Sequence, residues 1–159
     1  MPKTSAGLLL YRIRNGALEF LLVHPGGPFW KNKDDGAWTI PKGEIGDNEE
    51  PLAAAIREFE EELGFRPTGP FVELAPIKQK AGKVVHAWAF EGDCDPAACK
   101  SNTYQVEWPA RSGKWASFPE IDRADFFSLD AAREKINPAQ AALLDRLVIL
   151  FGASGAAAG

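Results

Sequence analysis

Apolar residues recur along this chain in short strand-like runs, and twice at helical spacing. Residues 4–13 and 18–24 are rich in leucine and other strand formers, and Asn15-Gly16 lies between them. Asn-Gly suits a two-residue turn because both residues accept positive φ, so the two runs are expected to pair antiparallel. Residues 25–36, with Gly26-Gly27-Pro28 and Asp34-Asp35-Gly36, read as a loop, and residues 37–40 as a short strand ended by Pro41. Residues 51–63 are the most helical stretch: Pro51 suits the first turn, Gly64 suits the C-cap, and Leu52, Ile56, Phe59 and Leu63 form one apolar stripe. Further strands are expected over 71–80 and 83–90, joined at Ala81-Gly82, and over 113–118 and 126–129. A terminal helix is expected over 138–151, with Leu143, Leu144, Leu147 and Leu150 at helical spacing, followed by a flexible tail over 152–159. No repeat or linker divides the chain. Residues 1–151 are therefore expected to form one α+β domain, a mixed sheet with helices packed on it.

Composition adds constraints. The 159 residues, 45% apolar and 25% charged, suit a globular domain that needs no disulfides. Acids outnumber bases 22 to 18, which argues against a protein that coats nucleic-acid polymers. The charge is unevenly spread. Residues 43–62 hold eight acids and one base, Arg57, while the other 139 residues hold fourteen acids and seventeen bases. No apolar run approaches the roughly 20 residues that span a bilayer, so no membrane association is expected. The opening residues lack the basic-then-apolar order of a secretory signal. Cys94 and Cys99, with no nearby histidine, make a poor zinc site and read as free thiols. A cytoplasmic location is expected.

The acidic segment breaks local rules. Glu58, Glu61 and Glu62 stand at i, i+3 and i+4 on the helix, apart from the apolar stripe, where like charges repel. They also lie toward the C-terminal end, where the helix dipole disfavours anions. A solvated acidic face is one reading. The other is a cradle for a hard divalent cation, Mg²⁺ or Mn²⁺, which carboxylate oxygens suit and which commonly shares its shell with phosphates.

Gly43, Glu49, Arg57-Glu58-Phe59, Glu61-Glu62 and Gly64-Phe65 follow the spacing G-x5-E-x7-R-E-U-x-E-E-x-G-U, with U a bulky apolar residue. This resembles the Nudix box at every fixed polar and glycine position, with Phe59 and Phe65 where aliphatic residues are commoner. The resemblance implies an α/β/α sandwich and Mg²⁺-dependent hydrolysis of a diphosphate bonded to another group, Mn²⁺ being able to substitute. It implies metal binding by Glu58, Glu61 and Glu62, with Glu58 also the candidate general base and Glu61 the second catalytic residue. The backbone carbonyl of Lys42 is the implied main-chain ligand, and Glu49 with Arg57 an implied buried ion pair that supports the site. Some relatives recruit a further glutamate. Glu120, six residues ahead of Phe126, is the first candidate here and Glu107 the second.

Trp38-Thr39-Ile40-Pro41-Lys42-Gly43 resembles the W-x-x-P-K-G lead-in of the diadenosine polyphosphate and diphosphoinositol branches. A nucleoside or dinucleoside polyphosphate is accordingly the expected small-molecule partner. The alternatives are an ADP-ribose or nucleotide-sugar pyrophosphatase and a non-catalytic nucleotide sensor. Lys31, Lys33, Lys42, Lys78, Lys80 and Lys83 are candidate phosphate contacts, Lys42, Trp38 and Lys78 being the named substrate-binding candidates. Trp30, Trp88, Trp108 and Trp115 are candidate base-stacking rings. His86, mid-strand, reads more readily as a core histidine than as a pocket residue.

Overall fold

The computed structural model describes residues 4–79 and 82–155, with side chains as far as Phe151. β1 (Thr4–Arg14) and β2 (Ala17–Pro25) form the expected hairpin, with Arg14 opposite Ala17 and only Asn15 and Gly16 in the turn, at φ 53° and 80°. Gly16→Ala should destabilise by about 1 kcal/mol, because a Cβ is strained at that φ; a urea unfolding curve checks this. β1 is the centre of a six-stranded sheet in which five strands run in the order β4-β5-β1-β2-β8 and a sixth, short strand pairs with β1 off this path; β4 is Val72–Lys78, β5 Val84–Glu91 and β8 Ile121–Ser128. β1 runs parallel to β5, so the sheet is mixed.

β1 and β2 are buried on both faces, which explains their nearly unbroken apolar runs. Alternate residues enter two cores. Leu9, Phe20 and Leu22 face one side with Ala132 of α2 (Leu129–Lys135), Ile136 just after it, and Leu143, Leu144 and Leu147 of α3 (Ala141–Gly155). Leu8, Leu10, Leu21 and Val23 face the other side with Ala54, Ala55, Phe59 and Leu63 of α1 (Pro51–Leu63). The result is the expected α/β/α sandwich. No helix among the described residues is long and apolar enough to cross a membrane.

The edge of β1 that faces β2 is shared. Its second half pairs with β2, and Ser5, Ala6 and Gly7 pair with β3 (Lys42–Glu44), a strand without an apolar pattern to announce it. The chain leading into β3 fills the gap between β2 and β3. Residues 37–40, expected as a strand, therefore make only isolated bridges, Thr39 to Val23 and Trp38 to Ile136. This split carries Gly43 beneath α1.

Other expectations need correction. Leu129 opens α2 rather than closing a strand; Ser128 caps that helix by accepting the Ala131 N–H. Residues 138–140 form a 3-10 turn before α3, and α3 continues to Gly155, into the segment expected as a tail. Lys80 and Ala81, part of the expected hairpin between β4 and β5, and residues 156–159 lie outside the described residues. β6 (Thr103–Glu107) was not anticipated. It pairs with β7 (Trp115–Pro119) in a separate two-stranded sheet beside β8.

Candidate active site

α1 runs over the residues expected from Pro51 and Gly64. Gly64, at φ 81°, donates its N–H to the Glu60 carbonyl and ends the helix. The buried face is rotated from the expected stripe: Ala54, Ala55, Phe59, Glu62 and Leu63 are buried, whereas Leu52 and Ile56 are only partly so. Glu62 therefore belongs to the packed face and is only 8% exposed. Its Oε2 accepts the Lys42 N–H at 3.0 Å, which ties the helix to β3.

Gly43 makes the other contact between β3 and α1. A Cβ at this position would strike the carboxylate of Glu58. Only glycine lets strand and helix approach so closely while Glu58 lies between them.

Glu120 reaches the same place through the backbone. The last turn of α1 has carbonyls without helical partners. Two of them are taken by the chain ahead of β6: Lys100 N–H donates to Leu63 and Asn102 N–H to Glu61. Asn102 in turn accepts the Glu120 N–H at 2.8 Å, and the Glu120 carbonyl accepts the Gly26 N–H at 2.9 Å. Asn102 and its neighbour Ser101, which bonds Ile121, were not legible as site residues. The open carbonyls of a helix end were the only signal, and they do not say what will bind them.

Four carboxylates thus influence one another. Burial, and then Glu58 and Glu120, push the Glu62 carboxyl up to about 9. Glu58 is raised first by burial, with Glu61 and Glu120 adding and Arg57 opposing. Glu120 is raised by desolvation and by Glu61. Nearby, burial lowers the Lys42 ammonium. Glu107 is not part of this group: its oxygens accept the N–H groups of Arg111 and Gly113 and close the β6–β7 turn.

Arg57 organises the near side. Its Nε and Nη2 bind both oxygens of Glu49 at 2.9 and 3.0 Å, and Nη2 also donates to the Glu44 carbonyl. The pair is not buried as expected, since the Arg57 and Glu49 side chains are 39% and 21% exposed. The sequence also did not show that Nη1 holds Glu58 at 2.9 Å and Glu61 at 3.3 Å.

Arg57 and the Gly46 N–H hold Glu49 down to about 2. A lowered value means a stabilisation that is full above the ordinary carboxylate value and lost as pH falls from about 4.5 toward 2. Glu49→Gln should flatten that limb of the acid-unfolding curve, followed by circular dichroism in urea.

A divalent cation suits this donor set in chemistry. The four carboxylates are hard oxygen ligands, and a cation would offset the burial and like-charge repulsion that raise Glu58, Glu62 and Glu120. Among the described residues, no three acidic, histidine or cysteine groups already stand in a metal-holding arrangement. The reason lies at Arg57, which draws Glu58 and Glu61 onto its guanidinium.

Lys78 ends β4 opposite Val84, Val84 lies opposite Thr4, and the Thr4 carbonyl accepts the Ile45 N–H just after β3. Lys78, Lys83 and Lys42 therefore share one end of the sheet. Trp38 is a core residue. Its Nε1 donates to Asp34 at 2.7 Å, and His24 and Phe127 pack edge-on around its ring. His86 is half-buried on the α1 side of β5. The fully buried histidine is His24, which sequence reading treated only as the end of a strand. It bridges Asp122 of β8, 2.7 Å from Nδ1, and the Lys33 carbonyl, 2.6 Å from Nε2. Cys94 and Cys99 are free and half-buried.

Residues 1–147 match the NUDIX domain family. Over 65 residues the chain is 41% identical to the asymmetrical bis(5'-nucleosyl)-tetraphosphatase of Caenorhabditis elegans, a match covering 41% of this chain and 43% of that enzyme. The chain thus spans less than half the length of that curated relative. Its fold is similar to that of a C. elegans Ap4A hydrolase in a binary complex, at TM-score 0.65 and 22% identity over 95% of this chain and 98% of that one. It is also similar to the NUDIX domain of Shewanella oneidensis NrtR complexed with ADP ribose, at TM-score 0.64 and 15% identity over 92% and 86% of the two chains.

Proposed function

Because the chain belongs to the Nudix family, we propose that it hydrolyses a diphosphate linkage in a nucleoside or dinucleoside polyphosphate, with Mg²⁺ as cofactor and Mn²⁺ able to substitute. The observation that carries this reading is the gathering of Glu58, Glu61, Glu62 and Glu120 against their mutual repulsion, with Glu62 buried at about 9. A fold gains nothing from such a group unless a cation or a proton settles it. Glu58, Glu61, Glu62 and Glu120, with the Lys42 carbonyl, would hold the cation, and the chemistry it supplies when bound is neutralisation of the diphosphate and activation of water.

Within the chain, Glu58 is the proton acceptor. Its carboxyl is raised by burial, which strengthens it as a base, and its position against Gly43 limits its movement. Arg57 and Glu49 fix the loop entering α1. Lys42, Lys78 and Lys83 offer positive charge to the phosphates from one end of the sheet. Trp38 anchors the lead-in to Lys42 from within the core.

The substrate class draws support from the stretch shared with the C. elegans tetraphosphatase. The test is a panel of nucleoside triphosphates, dinucleoside tetraphosphates and ADP-ribose with Mg²⁺, products being identified by chromatography. Release of mononucleotide products with one of the polyphosphates is expected. Cleavage of ADP-ribose alone would move the substrate class, and tight binding with no cleavage of any compound would mean a sensor.

A further inference from the structure

The β6–β7 hairpin presents two unlike faces. In its register Tyr104 lies opposite Phe118 and Glu107 opposite Trp115. Side chains alternate along a strand, so Tyr104, Val106, Phe118 and the adjoining Trp108 share one face, whereas Trp115 points the other way. The aromatic face looks toward the loop after β2. Tyr104 Oη donates to the Gly26 carbonyl at 2.9 Å, and a Cβ at Gly27 would strike that hydroxyl. The loop therefore lies close against the hairpin at Gly26-Gly27 and then diverges from it.

A cleft of about 540 Å³ opens where they part, lined by Gly27, Pro28, Lys31, Asn32, Trp108 and Phe118. That lies within the usual range of roughly 300–1,000 Å³ for small-molecule sites. Phe29 packs edge-on against Trp108, with ring centroids 5.5 Å apart. Both rings nevertheless remain open to solvent, Phe29 at 56% and Trp108 at 40%. Rings that brace each other yet stay uncovered, beside a lysine and an asparagine, suit a flat polar aromatic ligand better than an aliphatic one.

The cleft lies beside the carboxylates. Pro119 also lines it, and the next residue is Glu120, whose carbonyl holds Gly26. Asp122 borders both this cleft and the neighbouring one of about 390 Å³ that contains Glu62. A nucleotide whose base entered beside Trp108 would pass its phosphates by Lys31 toward Glu120 and Glu62.

We propose that the cleft between the Gly27-to-Asn32 loop and the Tyr104–Trp108–Phe118 face is the nucleobase subsite, with Trp108 as the stacking ring and Phe29 as its brace. The inference rests on the nucleotide reading above and adds where the base is held. Loss of a base–aromatic stack predicts that Trp108→Ala raises KM for a dinucleoside tetraphosphate by roughly 10- to 100-fold, with kcat changed less than about threefold. Trp108→Phe, which keeps a ring, should restore most of the affinity. Trp115→Ala, on the opposite face, should leave KM and kcat unchanged.

Calorimetric titration with AMP and with ribose 5-phosphate reads binding without turnover. AMP should bind the wild type more tightly than the base-free compound, and Trp108→Ala should remove the difference. This separates the two failures: a wild type that cleaves no nucleotide overturns the enzymatic reading, while the AMP comparison still decides the subsite. An unchanged KM in a folded Trp108→Ala variant would overturn the subsite. Equal binding of AMP and ribose 5-phosphate by the wild type would also do so.

Discussion

Glu58→Gln is expected to lower kcat by about 10²- to 10⁴-fold, the usual contribution of a positioned general base, while the protein stays folded. Glutamine keeps an oxygen for Arg57 Nη1 and fits the same space against Gly43. It removes the ability to take up a proton, and with it one negative charge of the proposed cation-binding group. Burial and the neighbouring acids already disfavour the charged form of Glu58, so the neutral amide should not lower the melting temperature. Glu61→Gln should lower turnover in the same direction by weakening cation binding, and that loss should be partly recovered at higher Mg²⁺. In Glu58→Gln, higher Mg²⁺ should restore only the cation-binding share of the loss and leave turnover far below that of the wild type. Turnover near that of the wild type in Glu58→Gln would show that another group accepts the proton.

Glu62→Gln should do the opposite to stability in the metal-free protein. The Glu62 carboxyl is pushed up to about 9, above its ordinary value of 4.5. A raised folded-state value means that stability is full below the ordinary value and is lost as pH rises through the folded one. Metal-free wild type should therefore lose stability between about pH 4.5 and 9. Glutamine can still accept the Lys42 N–H without the charge. At pH 8 in chelator, the variant should be the more stable, with a higher melting temperature than the wild type. At pH 4 the two proteins should melt together. Mg²⁺ should raise the melting temperature of the wild type more than that of the variant. Identical pH profiles would mean that Glu62 is not a charge held against its surroundings.

The parts of this site that could be read from sequence are those fixed by local rules. Helical spacing and the end signals Pro51 and Gly64 placed α1, and that helix alone delivers Glu58, Glu61 and Glu62. Asn15-Gly16 placed the first hairpin for the same reason, a conformational demand met by two adjacent residues. What escaped depends on tertiary partners. β3 is a strand because the edge of β1 is free there, not because Lys42-Gly43-Glu44 prefers to be one. Seven residues are too few for α2 to show a period, although Ser128, Asp130 and Lys135 carried its end signals.

Spacing ranked Glu120 ahead of Glu107 without giving the physical reason. They are distinguished by what their surroundings demand: Glu107 is consumed by its own turn, and Glu120 is held toward α1 through Asn102. The wheel of α1 put Glu62 among exposed acids, but the close approach of β3 at Gly43 rotates the buried face toward it. The same contact makes a charged Glu62 costly, which is what supports the proposed cation site.

These carboxylates are proposed to cleave a phosphoanhydride with water. Hydrolysis of a dinucleoside tetraphosphate with Mg²⁺ in ¹⁸O-labelled water, followed by mass spectrometry of the products, tests it most directly. One ¹⁸O atom in one product phosphate is predicted for the wild type, with no labelled product from Glu58→Gln over the same period. Stoichiometric binding of the substrate by wild-type protein, with no cleavage and no label, would contradict it.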